Sequence, residues 1–231
     1  MIMELFAFSK ENGRMKGNIK SFKNNDDLDQ NLLHLFKAIL NVDNQYVYRG
    51  DIHSQRLERV FAYELYHQWS IIIDKMNHKI PNDDKHYIIN AETGKDMEKF
   101  VKNPCKATCY PDMILHKSID KPDGQALVCE IKRNDRLTKG GLKNDIEKLK
   151  TFACESQNKY CFHFGVFLLV GGNLDSIFEK MNILSWTTRS RKIGYKNIWI
   201  IAYEEHILQC VSLYDALDKK ERTKYLERSN R

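Results

Sequence analysis

Apolar positions along the chain follow two periodicities, and they alternate. Leu28, Leu32, Leu33, Leu35, Phe36, Ile39 and Leu40 recur at helical spacing behind an Asn/Asp cluster that offers N-cap residues, which predicts a first helix. Gly50-Asp51 breaks that pattern. Ser54 can then cap a long second helix to about Lys75, whose Leu57, Val60, Phe61, Leu65, Trp69 and Ile72 cover one arc. Shorter apolar runs read as strands: Lys85 to Thr93 around Tyr87-Ile88-Ile89, Tyr110 to His116, Ala126 to Lys132, Cys161 to Val170 and Asn197 to Tyr203. Two helices are expected among them, from about Thr138 to Glu155 and from Leu174 to Leu184. The first of these has Leu142, Ile146, Leu149, Phe152 and Ala153 as its buried stripe, with Asp145, Lys148 and Lys150 off that stripe. Met1 to Asn25 is polar and lysine-rich, compatible with a strand or a loose arm, and Tyr214 to Arg231 reads as a charged helix. The pattern predicts an α/β (α+β mixed) fold with a mixed central sheet flanked by helices. Residues 1–50 would form an N-terminal helical extension and 51–231 the main domain.

Charge placed inside two of these strands is the feature that bears on chemistry. Glu130 and Lys132 are two residues apart, so on a strand they share one face while Ile131 takes the other. They interrupt an otherwise apolar run. A half-buried carboxylate beside an ammonium is costly without further partners, and Asp112, on the preceding strand, can be one. Two carboxylates and a lysine converging on one spot suit a hard cation such as Mg2+, with Mn2+ able to substitute. Such an ion takes one or two carboxylates, keeps several waters and polarises a phosphate oxygen. The lysine would orient the attacking water or steady charge on phosphorus. The plainer alternative is an ordinary salt-bridged strand surface.

Pro111-Asp112 and Glu130-Ile131-Lys132, on two strands joined by a hairpin-sized gap ending in Pro122-Asp123-Gly124, resemble the PD-(D/E)XK nuclease superfamily, the restriction-endonuclease-like fold. The helix and apolar strand that follow also fit this resemblance. It implies a divalent-metal-dependent nuclease hydrolysing phosphodiester bonds, DNA before RNA. Asp112 and Glu130 would hold Mg2+, the backbone carbonyl of Ile131 could add a ligand, and Lys132 would position the water. The resemblance also implies an acidic residue on the long N-terminal helix. At roughly 100° per residue Glu64 falls between Val60 and Phe61, and Glu58 on the edge of the arc near Leu65. Glu64 is preferred, with a hydrogen bond to Gln68 as its structural alternative.

The net charge of +6 and pI of about 8.9 agree with a phosphate-rich partner without proving one. Lys148 could reach a phosphate or lie on a solvated helix face. Arg189, Arg191 and Lys192, in a stretch with Trp186 and Tyr195, could grip a nucleic-acid backbone or form a solvated basic loop. No apolar run reaches the ~18 residues of a membrane span, and the start of the chain lacks a signal pattern, so a cytoplasmic protein is expected. Among the 6 cysteines, Cys129, Cys161 and Cys210 sit in apolar stretches and read as buried thiols. Cys105 and Cys109 lack the second close pair that a structural zinc site needs. His116 shares the strand face of Asp112, and packing is its expected role. Gly171-Gly172 reads as a strand terminator. Neither a serine-hydrolase nor an NTP-binding motif is present.

Two other classes stay open. One is a binding or regulatory protein that keeps the nuclease scaffold without turnover; the other is a structural α/β protein whose basic charge is incidental. A homodimer would suit double-strand cutting, although the sequence carries no interface signal.

Overall fold

The computed structural model describes residues 6–11, 14–17, 30–48, 54–81, 86–91, 111–117, 125–153, 162–183 and 193–218. Strands β1 (Phe6–Glu11), β2 (Arg14–Gly17), β3 (Ile88–Ala91), β4 (Met113–His116), β5 (Gln125–Arg133), β6 (Phe164–Val170), β7 (Ile198–Glu204) and β8 (Ile207–Ser212) form one eight-stranded sheet in the order β2-β1-β8-β7-β6-β5-β4-β3. β5, β6 and β7 run parallel, and every other pairing is antiparallel. The helices are α1 (Gln30–Asn41), α2 (Gln45–Tyr48), α3 (Ser54–Asn77), α4 (Lys139–Ala153), α5 (Leu174–Ile183) and α6 (Leu213–Ala216). The mixed α+β class and the central mixed sheet agree with the expectation from the apolar pattern.

Alternation along each strand sorts its side chains into two layers. Met113, Leu115, Leu127, Cys129 and Ile131 pack on one face with Leu32, Leu35 and Phe36 of α1 and Phe61, Leu65 and Trp69 of α3. Ile114, Val128, Phe167 and Leu169 pack on the other with Leu142, Ile146 and Leu149 of α4 and Ile177 and Phe178 of α5. β6 is buried along its whole length, as a strand covered on both faces must be. Of the alternatives for the first residues, the structure takes the strand: Phe6 to Ser9 pair with β8, and α1 packs in the same core as α3, so this segment is built into the sheet.

Two features depart from the expected elements. β8 was not anticipated; it follows β7 through a tight turn in which Glu205 and His206 both take positive φ, at 48° and 64°. On α4, Asp145 and Lys150 are buried, at 7% and 9% exposure, where the sequence placed them off the buried stripe. Lys150 reconciles charge with burial through an ion pair to Glu147 at 2.8 Å and by lying over the Tyr195 ring. Gly171 ends β6 at φ 71°, and a side chain at Gly172 would meet that of Asn134 within 3.0 Å, so the pair does terminate a strand against a close neighbour. Cys129 and Cys210 are buried free thiols, as expected. Cys105, Cys109 and Cys161, the hairpin turn at 118–124 and the chain beyond 218 lie outside the described residues.

Candidate functional site

The site is built at the C-terminal end of β5, where that strand outruns its antiparallel neighbour. β4 pairs with β5 from His116↔Gln125 to Met113↔Cys129. Continuing this register sets Asp112 across from Glu130, on the face that carries Ile114 and Val128. Pro111 comes next and offers no N–H, so the ladder stops there. Asp112 supplies an acceptor at the same place: its Oδ2 accepts the Ile131 N–H at 2.7 Å. Within an extended strand the N–H and C=O of one residue lie on the same side, so the Ile131 carbonyl is directed toward this same open edge.

Beyond that edge, charged groups alternate in sign. Lys148 of α4 donates to Glu130 Oε2 at 2.7 Å and lies 3.4 Å from Asp145 Oδ1. Asp145 Oδ2 lies 3.9 Å from the Lys132 ammonium, and Glu58 Oε1 of α3 lies 3.8 Å from it on the other side. Glu58 Oε2 also accepts the Arg133 N–H at 3.2 Å. The Arg133 guanidinium is turned to Asp135, through Nε at 3.0 Å and Nη2 at 3.3 Å. Both helix layers thus deliver a carboxylate to the end of one strand, α3 from one face of the sheet and α4 from the other.

Asp112, Glu130, Lys132 and the Ile131 backbone are brought together. Lys148 joins them, with its ammonium paired to Glu130 and Asp145. Glu64 is not joined to the cluster. Its Oε1 accepts from Gln68 at 2.7 Å, its structural alternative, and the preference for Glu64 over Glu58 is corrected in favour of Glu58. The two differ by 6 positions, about 9 Å along a helix axis, and it is Glu58, nearer the N-terminus of α3, that meets the end of β5. Arg189, Arg191 and Lys192 lie outside the described residues. Asp145 was missed, yet the spacing carries the signal: it is three residues past Leu142 and four before Leu149, which puts a carboxylate in the buried stripe itself. His116, at the far end of β4, is buried and makes its own contacts.

Electrostatics mark the cluster as strained. Glu130 is 4% exposed and its Oε1 has no hydrogen-bond partner; Asp145 Oδ2 is likewise buried without a hydrogen bond, its nearest charge being Lys132 at 3.9 Å. Burial, followed by the nearby Asp112 charge, pushes the Glu130 carboxyl up to about 8, despite Lys148. Burial raises Asp112 as well, although the Ile131 N–H opposes it. Burial works against the Lys148 charge, but Glu130 and Asp145 outweigh this and hold its pKa above the ordinary value. When all are ionised, Glu58, Asp112, Glu130 and Asp145 face only Lys132 and Lys148, which leaves the cluster two positive charges short.

Those two missing charges test whether a divalent cation fits. Among the described residues no three His, Cys, Asp or Glu side chains gather at metal-ligand spacing, so an all-protein cage is not the arrangement. An ion such as Mg2+, which uses one or two carboxylates and keeps its waters, fits the unpartnered Glu130 Oε1 beside Asp112. No helix among the described residues is long and apolar enough to cross a membrane. In comparisons with known proteins, the chain matches no family model, no curated protein and no solved structure.

Proposed function

We propose that the protein is a divalent-metal-dependent nuclease that hydrolyses phosphodiester bonds, in DNA before RNA. The observation that carries this reading is the pair of carboxyls, half-buried Asp112 and buried Glu130, with Glu130 Oε1 lacking a hydrogen bond, in a cluster that is short of two positive charges once all its carboxyls are ionised. The order of elements supports it: an acidic residue opening β4, Glu130-Ile131-Lys132 ending β5, then a helix and a parallel strand, as the resemblance to the PD-(D/E)XK superfamily implies.

In this reading Asp112 and Glu130 hold Mg2+ or Mn2+, and the Ile131 carbonyl stands at the same edge. The ion, when bound, polarises a phosphate oxygen and lowers the pKa of a bound water. Lys132, flanked by Glu58 and Asp145, presents its remaining N–H donors to the attacking water or to the charge that develops on the phosphate. The Asp112 oxygen that accepts from Ile131 keeps the carboxylate oriented relative to β5. The +6 net charge favours a polyanionic substrate.

A second reading has two observations in its favour. Glu130 is committed to Lys148 at 2.7 Å, and no three ligating side chains gather among the described residues, as in a binding or regulatory protein that keeps the scaffold without turnover. The deciding experiment incubates linear, circular and branched DNA and structured RNA with Mg2+ or Mn2+, comparing wild type with Asp112→Ala and Lys132→Ala. The nuclease reading expects cleavage by the wild type and a loss of roughly 10³-fold in each variant. Nucleic-acid binding without any metal-dependent cleavage would favour the second reading, and absence of both would remove the first.

A further inference from the structure

Asp145 is a member of the cluster to which the nuclease reading, on which this inference rests, gives no contact with metal or substrate. Its side chain is 10% exposed and its carboxylate sits between two ammonium groups, Lys148 at 3.4 Å from Oδ1 and Lys132 at 3.9 Å from Oδ2. The lysines come from different elements, one from the end of β5 and one from α4. Two like charges drawn to a single buried spot repel each other unless an anion lies between them. Asp145 is that anion. Lys148 has a second, shorter partner in Glu130, whereas Lys132 has only long contacts, to Asp145 and to Glu58. Lys132 therefore has no short contact to fall back on if Asp145 is lost, only the long one to Glu58.

We infer that Asp145 is a positioning residue: by holding one carboxylate between Lys148 and Lys132, it aims the Lys132 ammonium at the phosphodiester without touching substrate or metal. A long, flexible lysine stem would otherwise sample many rotamers, and a misplacement of about 1 Å at a reacting group can cost on the order of 10²-fold in rate. The i, i+3 spacing of Asp145 and Lys148 on α4 fixes the carboxylate through the helix, so the lysine of a strand is registered against the helix layer behind it.

The test uses the full chain and Asp145→Asn, which keeps the shape and one acceptor oxygen but removes the charge. Expected are a fall of 10- to 100-fold in kcat for DNA cleavage with Mg2+, changes of less than about threefold in substrate KM and in Mn2+ affinity, and partial recovery in Asp145→Glu. In the Lys132→Ala background, Asp145→Asn should cost almost nothing more, because the two act as one unit. Side-chain NMR relaxation at the Lys132 Cε should show a lower order parameter in Asp145→Asn than in wild type. That last measurement needs no turnover. If the wild type cleaves nothing, the nuclease reading fails, and a drop in Lys132 order still supports the positioning role. An unchanged order parameter, additive losses in the double variant, or a loss of Mn2+ affinity beyond about 30-fold would each overturn it, the last by making Asp145 a ligand.

Discussion

His116 and Glu130 are two buried ionisable groups on one face of the same β4–β5 pair, at opposite ends of it, and they have been treated in opposite ways. His116 is 3% exposed and both ring nitrogens are satisfied: Nδ1 meets the Lys117 carbonyl at 2.6 Å and Nε2 meets the Asn90 side-chain amide at 3.1 Å. Donation from Nδ1 and acceptance at Nε2 from the Asn90 amide describe a neutral imidazole, in agreement with the lowering of its pKa by burial. Glu130 is as deeply buried, but one of its oxygens has nothing to bond and its proton is held to about pH 8. A polar group whose hydrogen bonds are complete has been accommodated by the fold. One left incomplete, as Glu130 Oε1 is, is where the proposed divalent ion would bind.

Glu130→Gln bears on this contrast most heavily. Between its ordinary value of 4.5 and the folded value of about 8, the native Glu130 binds more protons than the unfolded one. Its contribution to stability is therefore complete below about pH 4.5 and is lost as the pH rises through about 8, with a slope of up to ~1.4 kcal/mol per pH unit. Urea unfolding from pH 5 to 9 should show that decline in wild type and a shallower one in Glu130→Gln; Asp112, also raised, accounts for what remains. A divalent ion competes with the same proton. Mn2+ affinity in wild type should rise about tenfold per unit toward pH 8, and in Glu130→Gln fall by roughly 10²-fold with little pH dependence. A flat wild-type profile would mean that Glu130 is as well accommodated as His116.

Most of the frame was legible because it is set by local periodicity. The helix from Ser54, the strand pair that carries Asp112 and Glu130, α4 and β6 all follow from apolar spacing, and Asp112, Glu130 and Lys132 stand out as charge within apolar strands. What escaped depends on tertiary placement or on turn chemistry. Glu58 and Glu64 are both compatible with the arc of α3, and the choice between them rests on where the axis of that helix meets the end of β5. β8 escaped because its turn puts Glu205 and His206 at positive φ, where the hairpin rule looks for Asn or Gly. Asp145 escaped for a different reason: a charged residue at stripe spacing was assigned to solvent by its type, although Leu142 and Leu149 place it in the core.

His116→Ala tests the satisfied end of the comparison. It removes the ring that meets the Asn90 amide and the Lys117 carbonyl and leaves a cavity, so a loss of about 2–3 kcal/mol is expected. Mn2+ binding should be unchanged, because β4 separates His116 from Asp112 by 4 residues, about 13 Å along a strand. Equal effects of His116→Ala and Glu130→Gln on metal affinity would dissolve the distinction between the two ends.

The smallest effect is expected where an incomplete hydrogen bond carries no charge. Trp69 is fully buried against the α1 face of the sheet and its Nε1 has no hydrogen-bond partner. Trp69→Phe removes that stranded donor, which regains some of the ~1–3 kcal/mol that an unsatisfied buried group costs. It also leaves a gap where the larger ring stood, at a cost of roughly 1 kcal/mol. The two nearly cancel, so the thermal midpoint should move by no more than a few degrees and the pH dependence of stability not at all. A neutral orphan and a charged one would then be separated by experiment: the first is a packing compromise that a smaller ring relieves, whereas the second, at Glu130, ties stability to pH and to a divalent ion. A large loss on Trp69→Phe would show that its N–H is bonded in solution, and buried donors here would then need to be judged by the variant, before the contact geometry.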